Sequence, residues 1–139
     1  MPPTTDPTSV ARDFIAVCLN GARVDLLGEF VAPDVVVHAG TPGNAPDTRG
    51  IGELADVVRR AHTVFEDLHV GVADVIADGD RVLVRWTARG THATEWFGIP
   101  ATGRPVRFGG MDLYRFDGGL IREWWRNEDH LFLLQQLEQ

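Results

Sequence analysis

At 139 residues the chain has the size of one domain, with no room for a second independent core. Its formal charge of −7, from 20 acidic against 13 basic residues, repels phosphate backbones and excludes nucleic acid as an expected partner. Hydrophobic residues at 44% and charged residues at 24% are ordinary globular usage and exclude a disordered chain.

The opening stretch MPPTTDPTSV has neither a basic nor an apolar leader segment, and no apolar run approaches the roughly 20 residues of a membrane span. A cytoplasmic protein with no membrane partner is expected. Residues 1–7, rich in Pro and Thr, read as a frayed terminus. Thr8 or Ser9 then caps a helix in which Val10, Phe14, Val17 and Cys18 recur at helical spacing, ending at Asn20-Gly21. The lone Cys18 cannot form an internal bridge and, among Ile15, Val17 and Leu19, reads as a buried structural thiol. A short second helix passes through Leu26, Leu27 and Phe30, Val35 to His38 is a brief β segment, and Ala39 to Gly50 is a loop dense in turn residues.

Ile51, Leu54, Val58, Ala61 and Phe65 keep the three-to-four spacing of an amphipathic third helix. Strand patterns follow at His69 to Ile76, Arg81 to Thr91, Arg104 to Phe116 and Leu120 to about Asn127, and LFLLQQL closes the chain as a short helix. Helices followed by a bent, mainly antiparallel sheet predict an α+β fold, with three N-terminal helices covering one face of the sheet to form a cone. Alternation puts Val82, Val84, Trp86, Ala88, Gly90 and His92 on the inner face. A three-residue loop, Asp117 to Gly119, pairs Phe116 with Leu120 and Asp112 with Trp124, leaving Asp112 and Arg126 diagonal on one face. Gly109-Gly110, inside a strand, predicts a bulge.

The run from Asp74 to Leu137, with its GTH and FGIPATGRPV segments, the RFDGGLI hairpin and the closing D-x-x-x-L-L-Q-Q-L, resembles the SnoaL-like polyketide cyclase or ester cyclase family. The resemblance implies a nuclear transport factor 2-like cone with a closed apolar pocket, a cofactor-free intramolecular aldol closure of an aromatic polyketide ester, and a homodimer formed through the outer sheet face. The cyclases' acid-base pair, a His on the penultimate strand and an Asp on the last, falls by ungapped counting on Asp112 and Arg126. A cation thus stands where that family has its aspartate.

Several residues are candidates for chemistry. Arg126 beside Asp112 predicts a depressed carboxylate pKa, making Asp112 an ionised base and Arg126 an anion stabiliser; a structural ion pair is the alternative. His92 on the inner face and His38 at a strand end are candidate proton relays, because imidazole titrates near about 6.5; a hydrogen-bonded structural role is the alternative for each. Asp129 suits a helix cap, and its place after the final strand also makes it a candidate acid-base residue. His130 lies toward the pocket rim, whereas His62 and His69 read as surface or packing residues. Trp86, Trp96, Phe97, Phe108, Tyr114, Trp124 and Trp125 offer aromatic walls for a flat, hydrophobic small molecule, with core packing as the alternative for about half of them.

The His spacing fits no zinc helix, and phosphate- or dinucleotide-binding glycine loops are missing, so neither metal nor cofactor is expected. The leading expectation is a cofactor-independent cyclase. An epoxide-opening enzyme and a non-catalytic carrier of hydrophobic ligands are the competing readings.

Overall fold

The computed structural model describes residues 6–39 and 46–138. Helix α1 (Pro7–Phe14) is capped by Asp6 rather than by Thr8 or Ser9, with Asp6 Oδ1 accepting the Thr8 N–H at 3.1 Å. Pro7 occupies the first turn, where its missing N–H costs nothing. Asp6 and Pro7 therefore belong to the helix and not to the terminal stretch; residues 1–5 lie outside the described residues. The helix continues as a π-helical segment, Ile15–Asn20, that buries Ile15 and Cys18, and a 3-10 helix, Val24–Glu29, follows.

Strand β1 (Val31–Ala39) is longer than the expected Val35 to His38. It admits Pro33 because the pairing is irregular between Val31 and Val36, where no ladder bond is demanded of the missing N–H. Of the predicted loop, residues 40–45 lie outside the described residues; its end forms β2 (Thr48–Arg49) against β1. Helix α2 (Gly50–Val64) turns Leu54, Ala55, Val58 and Val64 inward. The chain ends with β3 (Phe65–Asp78), β4 (Arg81–His92), β5 (Pro105–Asp117), β6 (Leu120–Glu128) and α3 (His130–Leu137).

The six strands form one sheet in the order β2-β1-β6-β5-β4-β3. All neighbours are antiparallel except β1 and β6, which run parallel. The architecture is the predicted α+β one, and two irregularities in the β3–β4 pairing add local twist and bend to the sheet. Val82, Val84, Trp86, Ala88 and His92 are buried while Arg81, Arg85, Thr87 and Arg89 are exposed, so the Trp86 face is the inner one. Among the described residues no helix is long and apolar enough to cross a membrane.

The β5–β6 hairpin departs from the expected register. Gly118 and Gly119, at φ +62° and +83°, make a two-residue turn that pairs Asp117 with Leu120 and Phe116 with Ile121. An irregularity next to Arg115 then adds one residue, so Asp112 lies directly opposite Arg126 and Tyr114 opposite Trp124. The total shift of two residues conserves the face of every side chain beyond it.

The bulge expected at Gly109-Gly110 is absent, for both glycines stay in continuous register with β4. The reason for Gly110 is close approach: a Cβ there would lie 2.2 Å from the Asn127 carbonyl oxygen and 2.9 Å from Trp86 Cζ2.

Candidate functional site

Three cross-strand rows on the inner face build the site. Val82, Tyr114 and Trp124 form one, Val84, Asp112 and Arg126 the next, and Trp86, Gly110 and Glu128 the third. Tyr114, Trp124, Asp112, Arg126, Trp86 and Glu128 of these rows line a cavity of about 470 Å³ whose opposite wall is α2, through residues such as Leu54, Val58 and Ala61. Phe65 and Phe108 continue the apolar lining, and the Trp96–Phe97 turn and His130 border it. Trp96 and Phe97 meet edge to face at 4.7 Å, and a bridge between Trp96 and Ile99 holds the turn. Phe97 lines the cavity and is 50% exposed, so this turn forms part of the cavity rim.

On the sheet side of the cavity Asp112, Arg126 and Glu128 gather with His130 in one polar corner. Asp112 is 4% exposed. Its Oδ2 accepts the Trp124 indole N–H at 3.0 Å, whereas Oδ1 has no hydrogen-bond partner among the described residues. The Trp86 indole N–H also lacks a bonding partner, yet lies near enough to favour the carboxylate. Burial pushes the Asp112 pKa up to about 6, and the Arg126 charge and the indole groups only partly oppose it.

This overturns the expectation of a depressed pKa at Asp112. The desolvation of a carboxyl in an aromatic cavity outweighs a cation that is not bonded to it, because the Arg126 guanidinium donates instead to Glu128 Oε1. Glu128 also receives His130 Nε2 at 2.9 Å. Burial works against its charge, but Arg126 and His130 prevail and hold its pKa down to about 2. The Arg126, Glu128 and His130 side chains are 22%, 13% and 14% exposed, so the cluster is largely withdrawn from water.

Of the sequence-predicted residues, the structure brings Asp112, Arg126, Trp86, Trp96, Phe97, Phe108, Tyr114 and Trp124 to this one cavity. The others are elsewhere. Trp125 points to the outer face of the sheet, one residue out of phase with Trp124 and Arg126, where its ring stacks on His38 at 5.3 Å. His38 shares that outer face and is held between Asp47, 2.9 Å from Nδ1, and Glu123, 2.6 Å from Nε2. His92 is buried on the inner face, as expected, but does not line the cavity. Its Nδ1 accepts the Thr102 N–H at 3.2 Å and its ring packs on Phe65, which braces the loop between β4 and β5. Asp129 is exposed and caps α3, with Oδ1 accepting the Phe132 N–H at 3.0 Å.

Glu128 was not among the residues singled out from sequence. Its signal is the period of two: on the same strand, Trp124 and Arg126 face inward, so residue 128 does as well.

The family model of SnoaL-like polyketide cyclases matches residues 9–137. No curated protein matches the chain. Among solved structures, IdmH from Streptomyces antibioticus, a proposed polyketide cyclase, is 32% identical with a TM-score of 0.83, covering 96% of this chain and 99% of its own. TsrD from Streptomyces laurentii is 26% identical with a TM-score of 0.81, covering 99% and 97% of the two chains. A proposed SnoaL-like polyketide cyclase from Jannaschia superposes with a TM-score of 0.86 at 19% identity, over 99% of this chain and 94% of that one, a likeness of fold. The chain belongs to the SnoaL-like polyketide cyclase family.

Proposed function

We propose that this protein is a cofactor-independent acid–base enzyme that closes a ring in a hydrophobic, polyketide-like substrate, with Asp112 as the base. The carrying observation is the Asp112 carboxyl on the wall of an aromatic cavity, one oxygen bonded and one unbonded, with its pKa raised to about 6. A carboxyl of that strength is ionised above pH 6 yet binds a proton far better than an ordinary aspartate, as general base catalysis requires.

In the reading we favour, the Asp112 carboxylate removes a proton from a carbon flanked by carbonyl groups. The resulting enolate attacks a second carbonyl carbon of the same molecule, forming a carbon–carbon bond and an alkoxide. The alkoxide takes the proton back from the Asp112 carboxylic acid, so no atom is lost and the base is regenerated. The Arg126 charge lies near the developing anion, and the aromatic walls favour a flat, unsaturated chain. Neither His92 nor His38 is needed for the proton's return.

The test is incubation with a panel of linear aromatic polyketide esters, followed by product analysis. Ring closure by the wild type and its loss in Asp112→Asn, with ligand binding retained, is expected. Binding without conversion across the panel would instead favour a carrier of hydrophobic ligands.

A second copy of the chain is proposed to cover the outer sheet face, where Met111 is exposed and Leu83, Leu113 and Trp125 are half-buried. Sedimentation equilibrium is expected to give a dimer mass, and a monomer mass would refute this.

A further inference from the structure

Arg126 and Asp112 face one another across the β5–β6 ladder, yet the guanidinium is bonded to Glu128, two residues along its own strand. An arginine between two carboxylates goes to the one that is better held. Glu128 is held from a second element, because His130 at the first position of α3 brings Nε2 within 2.9 Å of its Oε2. Asp112 is engaged by an indole N–H instead.

We infer that Glu128 is a positioning residue that sets the acid strength of Asp112, keeping Arg126 turned away from it while His130 fixes Glu128 from α3. This deepens the function proposed above and rests on Asp112 being the base. An aspartate gripped by both arms of a guanidinium is too weakly basic to take a proton from carbon. Glu128 acts twice in the same direction, since it occupies the cation and its own negative charge disfavours a second anion nearby. The other titratable groups on the cavity are Tyr114 beside Asp112 on β5 and, on α2, Arg60 and His62. His62 is engaged by the Leu19 carbonyl oxygen at 2.6 Å, and none of the three is hydrogen-bonded to Asp112.

The test is a substrate-free titration of the whole chain carrying ¹³C at aspartate Cγ, with the Asp112 resonance assigned by its loss in Asp112→Asn. Glu128→Gln keeps the shape and removes the charge; the Asp112 midpoint is expected to fall by about one to three pH units, the reach of an unopposed neighbouring cation. The double variant Arg126→Gln/Glu128→Gln, which removes the pair as a neutral unit, is expected to return the midpoint to its wild-type value. A midpoint that Glu128→Gln leaves in place, or that moves equally in the double variant, overturns the inference. Should Glu128→Gln fail to fold, Arg126→Gln decides: a raised midpoint that the double variant reverses supports the role, and an unmoved one overturns it. Failure here leaves the ring-closure proposal standing. Conversely, turnover that survives in Asp112→Asn sinks that proposal without moving any midpoint.

Discussion

The indole of Trp124 meets two of the charged groups of the polar corner, donating Nε1–H to Asp112 Oδ2 at 3.0 Å and lying under the Arg126 guanidinium at 5.6 Å from its ring centre. The N–H favours the ionised form of Asp112, so its removal makes the carboxyl a weaker acid. Trp124→Phe keeps an aromatic ring against Phe14 and Tyr114 and removes the donor. The acid limb of the activity profile is expected to move upward by about one pH unit, the worth of one hydrogen bond to a charged group. An unmoved limb would mean that this bond does not tune the base.

Burying the Asp112 carboxyl costs the fold stability once it is ionised. Its folded pKa of about 6 lies above the ordinary 3.8, so between those values the folded chain holds a proton that the unfolded chain has released. Stability therefore falls as pH rises through this window and stays lower above it. Asp112→Asn has no charge to bury and is expected to melt at a higher temperature than the wild type near neutral pH, with the gap closing near pH 3.8. Melting curves at the two pH values check this, and an equal gap at both would exclude the buried titration.

His38 carries the opposite dependence. The Glu123 bond is the largest cause that raises its pKa, with desolvation opposing and Asp47 adding to the rise. A raised histidine pKa stabilises the fold fully below the ordinary 6.5 and loses that contribution as pH rises through the folded value. His38→Asn is expected to lower stability in mildly acid solution by less than about 1 kcal/mol, because the group is partly solvated, and hardly at all in alkaline solution. Denaturant midpoints measured on both sides of neutrality distinguish this from a pH-independent packing loss.

Gly110 is a packing requirement rather than a hinge. A methyl group there meets the Asn127 carbonyl oxygen, Trp86 Cζ2 and Glu128 Cα at 2.2, 2.9 and 3.0 Å, and two of those three are backbone atoms that cannot swing aside. Gly110→Ala is expected to destabilise by about 1–3 kcal/mol and to disturb the Trp86 and Glu128 row of the cavity. Urea unfolding with unchanged stability would show that β6 yields there at no cost.

How far the sequence could be read depends on the range of the interaction involved. The helical spacing through α2, the alternation along β4 and the turn residues at Gly118-Gly119 are local, and they placed the elements and the inner face before any contact was known. Even the mistaken hairpin register kept Asp112 and Arg126 on one face, since an error of two residues conserves the phase of a strand. The same phase rule separates Trp125 from Trp124 and finds Glu128 two residues beyond Arg126.

What alternation cannot supply is which neighbours a side chain meets across strands and layers. The parallel pairing of β1 with β6 carries His38 onto the outer face beside Glu123 and Trp125. The choice of Arg126 for Glu128 depends on His130, delivered by α3, and the high pKa of Asp112 depends on a cavity assembled from β4, β5, β6 and α2. The sequence by itself determined the main helices and strands, their order and the inward phase of β4, because propensity and periodicity act over a few residues. Only the tertiary structure decided which charges pair and which are left desolvated, because both follow from distances between residues far apart in the chain.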